Sequence, residues 1–321
     1  SPHISAFSLK TGIAPGAVLR MTLITNTLDI AFTGGYRRAL DFLELTKPRV
    51  SLMVLVTMFV GFYLGSEHGA GYLRLIETLI GTALAAGGTL ALNQFLERHA
   101  DALMARTRHR PLPDGRMQPT EALLFGVGLV AAGLLVLALT VNALSALVTA
   151  SIVGSYLFIY TPLKQRSSLC GVVGAVPGAL PPVIGWTAAT GSLSIEAWVL
   201  FAIMFLWQIP HTLAIARLYR DDFAKAGIQF LPVIESDGWT TGRQVITHSL
   251  ALLVVSLLPT LLGLAGTVYF LAALLLGSGF LWYGIGLAIS QSLAAARRLL
   301  LASLIYLPLL LVVMALDRVS P

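Results

Sequence analysis

The sequence predicts an all-α, polytopic membrane protein of nine transmembrane helices, and three observations carry that expectation. Of its 321 residues, 56% are hydrophobic and only 11% are charged. The mean hydropathy is +0.83. Nine apolar runs approach the roughly 20 residues that a helix needs to cross about 30 Å of hydrocarbon. A soluble chain of this length would divide into two domains, but so apolar a composition belongs to a membrane bundle.

The runs cover residues 48–66, 74–95, 120–140, 142–161, 168–189, 195–216, 244–263, 267–290 and 298–316. They assign residues 46–321 to one transmembrane domain and residues 1–45 to an amino-terminal tail. That tail is weakly basic, has no acid before Asp29, and lacks the apolar core of a cleavable signal. Of 21 Lys and Arg, the tail and the loops after runs 2, 4, 6 and 8 hold 6, 5, 2, 4 and 2, leaving Arg74 and Arg318 for the opposite face. Such asymmetry places the amino terminus and the even-numbered loops in the cytoplasm, or the mitochondrial matrix, with the carboxyl terminus on the other side. It also accounts for the net charge of +6 without a nucleic-acid partner. The single cysteine, Cys170, excludes an intramolecular disulfide and a multi-cysteine metal cluster.

Run 2 ends in NQFLERHADALMARTRHRP, where charge is concentrated in an otherwise apolar chain. Removing charge from water is costly, so such residues mark a working site. Asn93, Glu97 and Asp101 recur every four residues, which turns a helix by about 400° and keeps all three on one side over roughly 12 Å. Oxygen donors of this kind suit a hard cation such as Mg²⁺, which is readily shared with phosphate oxygens. Arg106, Arg108 and Arg110 follow, then Pro111 and Pro113, so the helix ends and the arginines enter a loop. Guanidinium forks recognise phosphate well. Acids beside arginines therefore point to a diphosphate ester held through Mg²⁺; the competing reading makes the arginines topology anchors and the acids their counterions.

Run 4 closes with YTPLK on the same face, where Lys164 offers a point charge and Tyr160 a hydrogen bond. Run 5 contains GAVPGALPPVIGW, in which Pro177, Pro181 and Pro182 bend or break the helix. Run 6 carries WQIPH, so that His211 is a membrane-embedded histidine beside a proline, either functional or an interhelical hydrogen bond. The loop after it, LYRDDFAKAGIQFLPV, supplies Asp221 and Asp222 with Arg217, Arg220 and Lys225. Two acid-and-base clusters on one face are expected to converge on one ion. Runs 7 to 9 read as apolar helices without a motif. A secondary transporter would place its ionisable residues near mid-membrane; here the acids collect at one face. An assembly factor without catalysis would tolerate loss of Glu97 and Asp101.

These blocks, in this order, resemble the UbiA-type intramembrane prenyltransferases. The NQFLERHADALMARTRHRPLPDGRM stretch resembles the family's first acidic motif and arginine-rich loop. YTPLK, WQIPH and YRDDFAKAGIQFLPV resemble three further blocks, and TKPRVSLMVLVT, with Lys47 and Arg49, resembles its opening. The likeness covers most of residues 45–235. Glu97 stands where many relatives have Asp, and Asp221 and Asp222 are contiguous rather than spaced, which favours the haem branch of the family. The resemblance implies Mg²⁺-dependent transfer of a farnesyl group from farnesyl diphosphate to a vinyl group of haem B, giving haem O and diphosphate. Asn93, Glu97, Asp101, Asp221 and Asp222 would hold metal. Arg49, Arg106, Arg108, Arg110, Tyr160 and Lys164 would hold diphosphate, and His211 with Trp207 would meet haem. Glu97, Asp101, Lys164 and His211 would carry the catalysis. A bacterial or mitochondrial inner membrane and a downstream haem A synthase as partner are further implications. The alternative within the family is an aromatic-acid or quinone-precursor acceptor.

Overall fold

The computed structural model describes residues 35–66 and 71–319. Most of the predicted tail lies outside the described residues; within it, a helix covers 35–45. The chain divides after Glu44 into two units, the second running from Leu45 to Pro321. Among the described residues of the second, nine helices are long and apolar enough to cross a membrane: α1 Pro48–Gly65, α2 Tyr72–Leu103, α3 Pro119–Val141, α4 Ala143–Leu163, α5 Cys170–Thr190, α6 Ile195–Leu218, α7 Trp239–Leu261, α8 Thr267–Ser290 and α9 Leu293–Leu316.

Most predicted runs match within a few residues, and the three larger differences have local causes. Helix α2 continues to Leu103, because residues 96–103 are polar but contain neither glycine nor proline. At 32 residues it is roughly 48 Å long, well beyond the hydrocarbon thickness. Helix α7 starts at Trp239 instead of 244. Its orphan amides are met by Glu235, which accepts hydrogen bonds from the amides of Thr240 and Thr241 and, at 2.6 Å, from the Thr241 hydroxyl. Those bonds outweigh desolvation and keep the Glu235 carboxyl below its usual range. Helix α9 begins at Leu293, five residues before the predicted 298, where the Ser292 side chain accepts from the Ala295 amide at 3.2 Å.

Irregularity falls in α3, α4, α5 and α7, the last of which is interrupted at Ser256 and Leu257 before Leu258–Leu261. Helix α5 breaks at Leu180 into Cys170–Ala179 and Pro181–Thr190, as its prolines predict. Helix α3 ends in a π-helical turn, Leu137–Val141, and α4 contains another, Ser155–Tyr160. Apolar periodicity carries no sign of either.

Helix α2 packs along α3, α1 along the second half of α5, and α6 against α5, α7 and α9, while contact between α9 and α1 closes the ring. The apolar core includes Met58, Ile184, Ile203, Leu299 and Leu307. Leu139, Leu275, Trp282 and Leu316 point outward and are largely exposed, as lipid-facing residues are. The α1–α5 approach depends on glycine: a methyl group on Gly185 would overlap the Met58 carbonyl, and one on Gly61 the Pro182 carbonyl. Because those obstacles are backbone atoms, Gly185→Val is expected to destabilise the protein by about 1–3 kcal/mol. Thermal unfolding in detergent checks this, with Gly128→Val, where a side chain meets open space, as the neutral comparison.

Candidate active site

Cavities open at several places among the described residues. One, about 490 Å³, is lined by α1, α2, α4, α5, α6 and α9 and is mainly apolar; Arg49, Tyr156, Tyr160, Gln208 and His211 are its main polar exceptions. The second, about 450 Å³, contains Glu97, His99, Asp101 and Lys164. Tyr160 stands in the wall of the first, and the Lys164 ammonium from the second lies 4.5 Å from the centre of its ring. The π-helical segment Ser155–Tyr160 delivers Tyr156 and Tyr160 to this junction. A third cavity, about 410 Å³, is lined by Arg217, Tyr219, Arg220, Asp221 and Asp222.

The stripe at the end of α2 is occupied by bases. Lys47 Nζ donates to Asn93 Oδ1 at 2.9 Å, Lys164 Nζ to Glu97 Oε1 at 2.6 Å, and Arg110 Nη1 to Asp101 Oδ2 at 2.7 Å. Asn93 in turn donates to Thr161 Oγ1 at 3.2 Å, which ties α2 to the end of α4. Asp101 is 1% exposed, so its carboxylate depends on Arg110 and on the surrounding dipoles. Burial disfavours the Lys164 ammonium, but Tyr160 and Glu97 overcome it and hold the group above its usual range. Burial wins at Lys47, helped by the Arg110 charge, and brings that ammonium down to about 7 although Glu97 pulls the other way.

The arginines of the following loop separate. Arg110 turns back onto Asp101, Arg106 lies 5.3 Å from the ring of Tyr219 and 5.8 Å from that of Phe223, and exposed Arg108 bonds to His109. Arg106 thus joins the first polar loop to the short helix Arg220–Lys225. Neither the Asp221 nor the Asp222 carboxylate takes a hydrogen bond or ion pair among the described residues; Arg220 is turned to the Glu235 carbonyl and Arg217 to the Gln291 carbonyl. The two acidic sets therefore face different cavities, and no group of three or more His, Cys, Asp or Glu is arranged as a metal cage among the described residues. Arg49 lines the apolar cavity instead of the acid stripe.

Deep in the apolar cavity, Trp207 and His211 stack with centroids 4.7 Å apart and planes at 20°. Both are anchored on α9: the indole Nε1 donates to the Ser303 carbonyl at 2.9 Å, and His211 Nδ1 lies 2.7 Å from Ser303 Oγ. Lys47, Thr161 and Ser303 are absent from the predicted site. Lys47 reaches Asn93 from a left-handed backbone at φ 46°, a conformation that sequence does not announce.

Comparison with known proteins places this arrangement in a class. The UbiA prenyltransferase family matches residues 54–310. A protoheme IX farnesyltransferase of Solibacter usitatus is 48% identical over 287 residues, covering 87% of this chain and 98% of that protein. One from Koribacter versatilis is 43% identical over 308 residues, covering 93% and 99%. Among solved structures, a digeranylgeranylglyceryl phosphate synthase aligns with a TM-score of 0.75 at 16% identity, covering 88% of this chain and 98% of that one. A UbiA homolog from Archaeoglobus fulgidus bound to GPP and Mg²⁺ aligns with a TM-score of 0.58 at 16% identity, covering 86% and 99%. The chain belongs to the UbiA prenyltransferase family. It is an integral membrane enzyme, and its resemblance to the family's haem branch is borne out by relatives that are protoheme IX farnesyltransferases.

The Glu97–Lys164 pair is largely withdrawn from water, with side chains 15% and 13% exposed. Removing one partner strands the other charge, so Lys164→Met is expected to cost about 3 kcal/mol of stability, and Lys164→Met with Glu97→Gln distinctly less. A double-mutant cycle of thermal unfolding in detergent measures the difference.

Proposed function

We propose that the protein transfers the farnesyl group of farnesyl diphosphate to a vinyl group of haem B, with addition of water, giving haem O and diphosphate. The observation that carries this reading is the junction at Tyr160, where a cluster of acids and cations abuts an apolar chamber. The names of the relatives support the acceptor, and the GPP and Mg²⁺ bound by a structural neighbour support the donor and the metal.

The donor set fits Mg²⁺: Asn93, Glu97, Asp101, Asp221 and Asp222 offer oxygen only, and the last two carboxylates are unpartnered among the described residues. Glu97 and Asp101 at one cavity, with Asn93 one turn earlier, and Asp221 and Asp222 at another would hold divalent ions, which when bound supply positive charge to the departing diphosphate. Lys164 and Arg110, beside Glu97 and Asp101, add positive charge at this cluster, Arg106 and Arg108 would add it from the following loop, and Tyr160 and Arg49 line the chamber. As the carbon–oxygen bond breaks, diphosphate takes the electron pair and an allylic cation remains. The apolar chamber keeps water from that cation until the vinyl π electrons attack it. The new cation, on the carbon next to the porphyrin, then takes a water oxygen and loses a proton. His211, with Trp207 packed on its ring, serves as a ligand to the haem iron and orients the acceptor. The setting is a bacterial inner membrane, with the charged mouth and amino terminus in the cytoplasm and haem A synthase as a downstream partner.

Asp101→Asn is expected to lower kcat by roughly two to three orders of magnitude. Purified protein given farnesyl diphosphate, Mg²⁺ and either haem B or 4-hydroxybenzoate checks both the mechanism and the acceptor. Activity that survives chelation by EDTA, or prenylation of 4-hydroxybenzoate alone, overturns the reading.

A further inference from the structure

We infer that Ser303, in the middle of α9, is a positioning residue that locks His211 in one tautomer and aims its Nε2 lone pair at the iron of the haem substrate. This inference rests on the proposed reaction with haem. Its starting point is a count of protons. Ser303 Oγ lies 2.6 Å from the Leu300 carbonyl oxygen and 2.7 Å from His211 Nδ1. Each contact is short enough to need a proton between its atoms. A carbonyl has none to give, so the single hydroxyl proton of Ser303 goes to Leu300. The proton in the other contact must then come from the imidazole, and His211 donates through Nδ1–H. In a neutral imidazole that leaves Nε2 as the unprotonated nitrogen.

The ring has little freedom to turn away. Trp207, one helical turn earlier, covers the imidazole face, and its own N–H is committed to the Ser303 carbonyl. One buried residue of α9 therefore holds both rings of α6, through its hydroxyl and its carbonyl. His211 lines the apolar cavity, and Nε2 has no hydrogen-bond partner among the described residues. Imidazoles that bind metals usually donate the second ring nitrogen to an acceptor, which fixes the tautomer and raises ligand basicity. The His211–Ser303–Leu300 chain has that form, and imidazole nitrogen suits iron. Sequence offers no signal for it: Ser303 is 92 residues from His211 in an ordinary apolar helix.

The test uses the full-length protein in detergent, titrated with ferric haem B without farnesyl diphosphate and followed in the Soret band, with resonance Raman spectra of the ferrous complex. Wild-type protein is expected to bind haem with an iron–histidine stretch, and His211→Ala to lose that stretch. Ser303→Ala should weaken haem binding about 10–100-fold and lower the stretching frequency, and Ser303→Thr should restore both. Thermal unfolding of each variant separates loss of haem binding from loss of fold. A Ser303→Ala protein with wild-type affinity and stretching frequency overturns the inference while leaving haem prenylation intact. An unaltered spectrum in His211→Ala overturns the ligand role and with it the inference. Failure of the wild-type protein to farnesylate haem, measured in parallel, sinks the functional reading itself.

Discussion

A charge inside an apolar bundle must be answered by another charge or by dipoles, and the end of α2 shows how this chain meets that demand. Asn93, Glu97 and Asp101 rise along one helix face, and three bases from three different segments, Lys47, Lys164 and Arg110, each take one of them. Unpaired, any of these groups would cost several kcal/mol in so dry a setting. Paired, they tie the start of α1, the end of α4 and the following loop to α2. The left-handed backbone at Lys47 is tolerated because its side chain is wanted at Asn93. In the proposed reaction these pairs would exchange partners, since phosphate and a divalent cation would bring the complementary charges with them.

Much of this was legible in the sequence because the signals were local. Apolar runs gave nine helices, four-residue spacing put three oxygen donors on one face, and the prolines of run 5 marked the break at Leu180. The ends of elements were less legible. Polarity stopped the second run at residue 95, but helix formation depends on backbone freedom, and nothing interrupts it before Leu103. Partners across the fold were not legible at all. Nothing near Lys47 predicts Asn93, and nothing near Ser303 predicts Trp207 and His211, because those contacts are set by how helices pack. The arginine triplet was the least transparent element: one sequence block yields an ion pair, a cation over two aromatic rings and an exposed side chain.

The irregular helices explain how a chamber survives inside a tightly packed ring. Regular helices with apolar faces would close the gap, as α2 and the α-helical part of α3, Pro119–Val136, do. Helix α5 cannot, because its two halves meet at Leu180 and only the second lies along α1. Helix α4 cannot either, since its π-helical segment shifts the register of Tyr156 and Tyr160 and turns both rings inward. The remaining space is walled mainly by side chains that make few demands on an apolar guest, with Gln208 and the Trp207–His211 pair among its polar fixtures.

The overhang of α2 bears on the two products of the proposed reaction. A helix of roughly 48 Å keeps its acidic turns at the rim of the bilayer even when tilted by the usual 20° or so. In the proposed reaction the water-soluble leaving group would form among those turns, toward the aqueous side, and the greasy product in the chamber beneath them. Helix length thus separates the two products along the membrane normal.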